Sequence, residues 1–225
     1  MGAKKSAEQV VVEKIKQAIL NREIAPGTQL VESTISQSLN ISRTPIRHAF
    51  KRLEEEGYVT IIMNKGAFVV QPDTQEIIQA FELRIELESI AAKFGIEHIT
   101  SEDIEQLESL LEEEISSYKT EDISRYSTVN KQFHLLIASR SHNKYVMEFL
   151  TKVIDRIDMF LRIYDVIDHR SLEKNKSLEE HRQIIDAIKK KDLPLLQKTL
   201  RDHLQNTLET LRNTAVGYKS LDKML

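Results

Sequence analysis

Ser42-Arg43-Thr44-Pro45-Ile46-Arg47-His48-Ala49-Phe50-Lys51-Arg52-Leu53 is the stretch on which the architecture of this 225-residue chain turns. Ser42 suits an N-cap, and Pro45 falls in the first turn, where its missing N–H costs no hydrogen bond. Ile46, Ala49, Phe50 and Leu53 then recur at helical spacing as one apolar stripe, and Gly57 is placed to close the helix. Arg43 and Arg47 lie four residues apart, hence on one face, at the N-terminal end of that helix. With the hydroxyls of Ser42 and Thr44 beside them, two such guanidinium groups can reach base edges and phosphates when the helix lies in the major groove of DNA.

The flanking sequence completes the motif. Upstream, Val11, Ile15, Ala18 and Ile19 mark a helix from Ala7 to Arg22 that Pro26-Gly27 ends. A short second helix carries Ile35 and Leu39 on one face, with Asn40 placed to end it. Downstream, the β-rich runs Tyr58-Val59-Thr60-Ile61-Ile62 and Ala67-Phe68-Val69-Val70 flank Asn64-Lys65-Gly66, which reads as a hairpin. Three helices and a hairpin outline a winged helix-turn-helix over residues 1–71. Pro72 separates it from residues 72–225, where Asp73 and Glu76 make a capping box for a helix to about Phe94. Further helices are expected at 101–117, 122–140, 143–167, 172–190 and 193–214, an all-α bundle of about six helices. The fold class is therefore mainly α, in two domains.

Composition narrows the function. The net charge of −3 hides an asymmetry: residues 1–71 hold ten Lys/Arg against seven Asp/Glu, the remainder 22 against 28. A polyanion should meet the N-terminal part. No apolar run approaches the ~20 residues of a membrane span, so no membrane partner is expected. The absence of cysteine excludes disulfide frameworks, thiolate metal ligands and cysteine nucleophiles, and fits a cytoplasmic location. The N-terminus lacks the apolar core of a secretory signal. Gly2 and Ser6 formally match an acylation pattern, which is too short to carry an argument.

Three segments, Pro26-Gly27-Thr28-Gln29-Leu30, Ser42-Arg43-Thr44-Pro45-Ile46-Arg47 and Leu53-Glu54-Glu55-Glu56-Gly57-Tyr58, resemble the N-terminal domain of GntR-family regulators. The resemblance implies that Ser42, Arg43, Thr44 and Arg47 contact bases and backbone, and that Gly66 of the wing approaches the minor groove. It also implies a homodimer on a two-fold operator of double-stranded DNA, acting as a repressor. One departure stands out. Many relatives place a further arginine or other DNA-contacting residue early in the second helix, where this chain has Glu32-Ser33-Thr34, so that contact is expected to be weakened or replaced by a hydroxyl.

Among seven histidines, His134, His181 and His203 each fall on an expected helix, and Asn130 lies one turn before His134. By residue type and spacing alone they are equally surface or packing residues, the reading given to His48, His98, His142 and His169. The C-terminal region, however, is similar to the FCD effector domain of the FadR-like branch, in which an acidic residue four before a histidine and two later histidines bind a divalent metal. The resemblance implies Asn130, His134, His181 and His203 as ligands, with an amide where the usual ligand is aspartate. Imidazole and amide donors suit zinc, nickel or manganese over magnesium. A small carboxylate effector is expected at the open positions of the metal, paired with Arg84 or Arg156, while Glu88 competes for Arg84. A purely structural metal is the alternative. A hydrolase is disfavoured, because no HExxH or similar motif supplies a base and Glu180 points about 100° away from its neighbour His181.

Overall fold

Ser6 opens the first helix with a complete capping box, its hydroxyl accepting from the N–H of Gln9 while the Gln9 side chain accepts from the Ser6 N–H. The structure, a computed structural model, describes residues 5–164 and 176–215, the last two by backbone only. Gly2, His169, the end of the helix expected over 143–167 and the start of that over 172–190 lie outside the described residues. The chain divides into two compact units, Met1–Asp73 and Thr74–Leu225.

In the first unit α1 (Ala7–Leu20) is followed by β1 (Gln29–Leu30), α2 (Glu32–Leu39), α3 (Arg43–Glu55), β2 (Val59–Ile62) and β3 (Gly66–Val69). Asn40 ends α2 in the left-handed region, at φ 52°, a conformation asparagine tolerates better than most side chains. The apolar stripe of α3 is fully buried at Ile46, Ala49, Phe50 and Leu53, and α3 packs on α1, whose Val11, Val12, Ile15 and Ile19 are also buried. The Val, Ile, Leu and Phe side chains among them each contribute roughly 1.5–3 kcal/mol on burial. The expected hairpin forms between β2 and β3, with Val59 opposite Val69 and Ile62 opposite Gly66. A third strand is present that periodicity did not suggest. Gln29 and Leu30 pair antiparallel with Phe68 and Ala67, giving the order β1-β3-β2. Two residues are too few to register as alternation.

The second unit is helical throughout its described residues: α4 (Thr74–Gly95), a 3-10 turn (Ile96–His98), α5 (Ser101–Lys119), α6 (Ile123–Ser139), α7 (Lys144–Ile163), α8 (Lys176–Lys189) and α9 (Leu193–Ala215). Thr100 caps α5 through a box with Asp103, and Asp122 and Asn143 cap α6 and α7. The main core joins α4, α5, α6, α8 and α9 through residues such as Ala92, Leu107, Phe133, Ile184 and Leu196. A smaller cluster of Ala91, Ala138, Val146, Leu150 and Ile154 seats α7. Within this apolar interior lie Arg84, Glu88, Glu114, His134, His181 and His203, all buried. Burying so many ionisable groups is costly unless each has a partner, and their partners define the site.

Candidate nucleic-acid interface and metal centre

The N-terminal turn of α3 presents its polar residues outward. Ser42, Arg43, Thr44 and Arg47 are exposed, while Ile46 between them anchors the helix. Ser42 occupies the N-cap with extended backbone, yet its hydroxyl makes no capping hydrogen bond, so the group remains available to a phosphate oxygen. Arg43 makes no hydrogen bond or ion pair among the described residues, whereas Arg47 is tied to Glu32. Gly66 opens β3 at φ 102°, in the region that favours glycine. A Cβ there would also lie 3.4 Å from Nε2 of Gln29, which itself donates to the carbonyl of Lys65 and pins the wing turn.

In the helical unit, one ring nitrogen from each of His134 (α6), His181 (α8) and His203 (α9) lies within 4.8 Å of the others. Each imidazole donates its opposite nitrogen to its own carboxylate. His134 Nδ1 bonds Glu88 at 2.9 Å, His181 Nδ1 bonds Glu114 at 2.7 Å, and His203 Nδ1 bonds Glu180 at 2.9 Å. A proton held on Nδ1 leaves the lone pair on Nε2, and the Nε2 atoms of His134 and His181 are buried without a protein partner. Three carboxylate-oriented imidazoles, two of them with buried, unpartnered Nε2 atoms, are a donor set that could hold a divalent metal ion. Phe133, stacked on His181 at 4.5 Å between centroids, holds that ring in plane.

The electrostatics favour neutral ligands. Burial drives the pKa of His134 down to about 3 against the pull of Glu88, and the positive charge of Arg84 acts in the same direction as burial. His203 is likewise lowered, first by burial and then by His181 and Arg84. Burial alone would raise the orienting carboxyls, but their partners hold them below the usual range: His134 and Arg84 for Glu88, His181 and Asn130 for Glu114, and His203 and Asn206 for Glu180. At neutral pH the fixed charge on Glu88 comes from its pairing with Arg84, because His134 is then neutral.

The remaining sequence candidates divide. Asn130 reaches the site through Glu114, its amide nitrogen donating to Oε1 at 3.0 Å. An amide can make that bond, where an aspartate at this position would repel the buried carboxylate. Arg84 is buried, its Nε donating to Glu88 Oε1 at 2.7 Å, while its Nη2 has no partner among the described residues. Arg156 does not join them. Its Nη2 donates to Glu76 at 2.6 Å and its guanidinium covers the Phe160 ring, and Glu76 lies twelve residues before Glu88 on α4, about 18 Å along the axis. The sequence reasoning missed Glu114 and the orienting roles of Glu88 and Glu180. Glu180 points away from its neighbour His181 as expected, but toward His203 on the next helix. The available signal was charge within an apolar stripe: Glu114 interrupts the buried series Leu107, Leu111, Tyr118, and Arg84 and Glu88 interrupt Ile77, Phe81, Ala92.

A winged helix-turn-helix joined to a helical unit with a buried histidine cluster is the architecture of a DNA-binding regulator with a second, non-DNA-reading domain. Comparison with known proteins makes the assignment specific. Residues 7–69 match the model of bacterial regulatory proteins of the gntR family, and residues 79–206 match the FCD domain. The chain belongs to the GntR family of transcriptional regulators, in its FadR-like branch with an FCD domain. It is a regulator and not an enzyme, as are its relatives. It is 29% identical over 201 residues to an uncharacterized HTH-type transcriptional regulator, YdhC, of Bacillus subtilis, covering 88% of each chain. It is 26% identical to the HTH-type transcriptional repressor RspR of Escherichia coli, over 88% of this chain and 86% of that one. Among solved structures it is similar in fold to E. coli McbR/YncC, with a TM-score of 0.72 at 23% identity over 93% of this chain and 99% of the other. Among the described residues, no helix is long and apolar enough to cross a membrane.

Proposed function

We propose that the chain is a cytoplasmic repressor that binds a two-fold operator as a homodimer through Ser42, Arg43, Thr44, Arg47 and the Gly66 wing. Its grip on DNA is set by a small carboxylate held at a metal in the FCD domain. The observation that carries the sensing half is the convergence of three carboxylate-anchored histidines whose inner nitrogens lie within 4.8 Å. Zinc fits an all-imidazole donor set best, with nickel or manganese as substitutes. When bound, the ion supplies positive charge and open coordination positions for a carboxylate. Arg84 offers its unpaired Nη2 to the same anion, while Glu88 fixes its Nε edge. Asn130 and Glu114 hold His181 in place. Support for the homodimer comes from exposed Leu83, Ile90 and Phe94 on α4 and exposed Tyr145 and Phe149 on α7, two helices packed against each other. That RspR is named a repressor supports the same sign of action.

The test combines metal analysis, thermal shift and gel shift. The purified protein should contain about one divalent ion per chain, and a His134→Ala/His181→Ala variant none. Some mono-, di- or tricarboxylate should raise the melting temperature of the metal-loaded protein only, and change operator affinity at fixed salt. A variant that keeps its metal and its acid response would refute the site. A metal-loaded protein whose DNA affinity ignores every acid tried would leave the ion a purely structural role.

A further inference from the structure

Arg43 and Arg47 occupy one face of α3, yet the structure treats them differently. Arg43 is unengaged among the described residues. Arg47 is held by Glu32 at the start of α2, with Nε 2.9 Å from Oε1 and 3.0 Å from Oε2. Glu32 is fifteen residues away in sequence, and the packing of α2 against α3 brings the two together. The bond uses only the Nε edge. The Nη1/Nη2 end, which can grip O6 and N7 of a guanine, stays open. The Arg47 side chain is 64% exposed and that of Glu32 30%, and ion pairs so open to water contribute little to folding stability. What the pair does fix is the direction of one guanidinium. An untethered arginine on a DNA-facing surface turns readily to the nearest phosphate, which carries no sequence information.

We propose that Glu32 is a specificity-determining positioning residue: it holds Arg47 away from the phosphates and aimed at a base edge, and its own charge weakens non-specific binding. The proposal rests on the reading of α3 as the DNA-reading helix. It gives a role to Glu32 at the start of α2, where the acid sharpens the arginine already present on α3. Ser33 and Thr34, being neutral, leave the Glu32 carboxylate to Arg47 alone.

The full-length, metal-loaded protein would select duplexes from a random pool. Affinities for the selected duplex and for a scrambled duplex would then be measured at two salt concentrations for wild type, Glu32→Ala, Glu32→Gln, Arg47→Ala and the Glu32→Ala/Arg47→Ala double variant. Glu32→Ala should bind the scrambled duplex more tightly and the selected one less tightly, lowering the ratio of affinities at least about tenfold. Glu32→Gln, which keeps an acceptor for Nε, should retain part of the ratio. The double variant should match Arg47→Ala alone, and selection repeated with Glu32→Ala should lose its preference at one guanine per half-site. If Glu32→Ala tightens both duplexes by one common factor, or lowers the ratio equally in the Arg47→Ala background, positioning is refuted and Glu32 acts only as a repelling charge. If Arg47→Ala itself leaves the ratio unchanged, it is the reading of α3 that fails.

Discussion

Two arginine–glutamate pairs, one in each unit, have nearly the same chemistry and opposite surroundings. Arg47 and Glu32 meet at the surface, across two helices and in water. Arg84 and Glu88 meet one turn apart on α4 with side chains only 4% exposed. Water screens the first pair and lets it rearrange, so it can aim a group at a ligand but adds little to the fold. The second pair is locked by desolvation. Neither partner can be lost without stranding a charge in the interior, and Glu88 spends its other oxygen on His134. On the proposed reading, the same ion pair would serve as a guide at the DNA face and as a structural footing for the metal ligands.

The comparison breaks most sharply at Glu88. Glu88→Gln should destabilise the helical unit by about 3–5 kcal/mol, a fall in melting temperature of roughly 10 °C by calorimetry, and should lower metal occupancy. A normal melting temperature would mean that Arg84 finds another partner.

Acid should reach the buried site. His134 has a pKa of about 3 in the folded chain against its ordinary 6.5, so between those values the unfolded chain binds a proton that the folded chain does not. Its contribution to stability is complete above pH 6.5 and is lost progressively as the pH falls toward about 3. Chelator-treated protein followed by circular dichroism should therefore melt at lower temperature at pH 5 than at pH 7.5. Equal melting temperatures at the two values would place the proton on His134 in the folded state already.

At the DNA face the effects belong to binding and not to folding. Arg43→Ala should weaken selected-operator binding roughly 10- to 100-fold in a gel shift at fixed salt, and leave the melting temperature unchanged. The smallest effect falls on the exposed pair: Glu32→Gln should shift the melting temperature by less than about 2 °C. A drop as large as that of Glu88→Gln would erase the distinction between the two pairs.

Much of the fold is legible in residue order because its elements are locally encoded. The apolar stripe of α3, the turn at Asn64-Lys65-Gly66 and the helical periods of α4 to α9 each follow from neighbours a few positions apart. β1 is not legible, because Gln29-Leu30 becomes a strand only by pairing with Phe68 and Ala67, which lie far along the chain. The same limit applies at the metal centre. Three histidines on three expected helices were visible, but not the carboxylates that orient them. Glu88, Glu114 and Glu180 reach their imidazoles across 46, 67 and 23 residues.

The sequence by itself determined the kind of protein. A reader helix with two arginines, a wing, a helical partner domain and the family they belong to are all written in short-range patterns, because helix periodicity, caps and turns depend on near neighbours. The tertiary structure alone decided how the functional groups are employed: that Glu32 holds Arg47, that Asn130 donates to Glu114, that Arg84 enters the site and Arg156 stays with Glu76. Those choices depend on which helix faces come into contact, and charges buried or aimed across helices take their meaning from that packing.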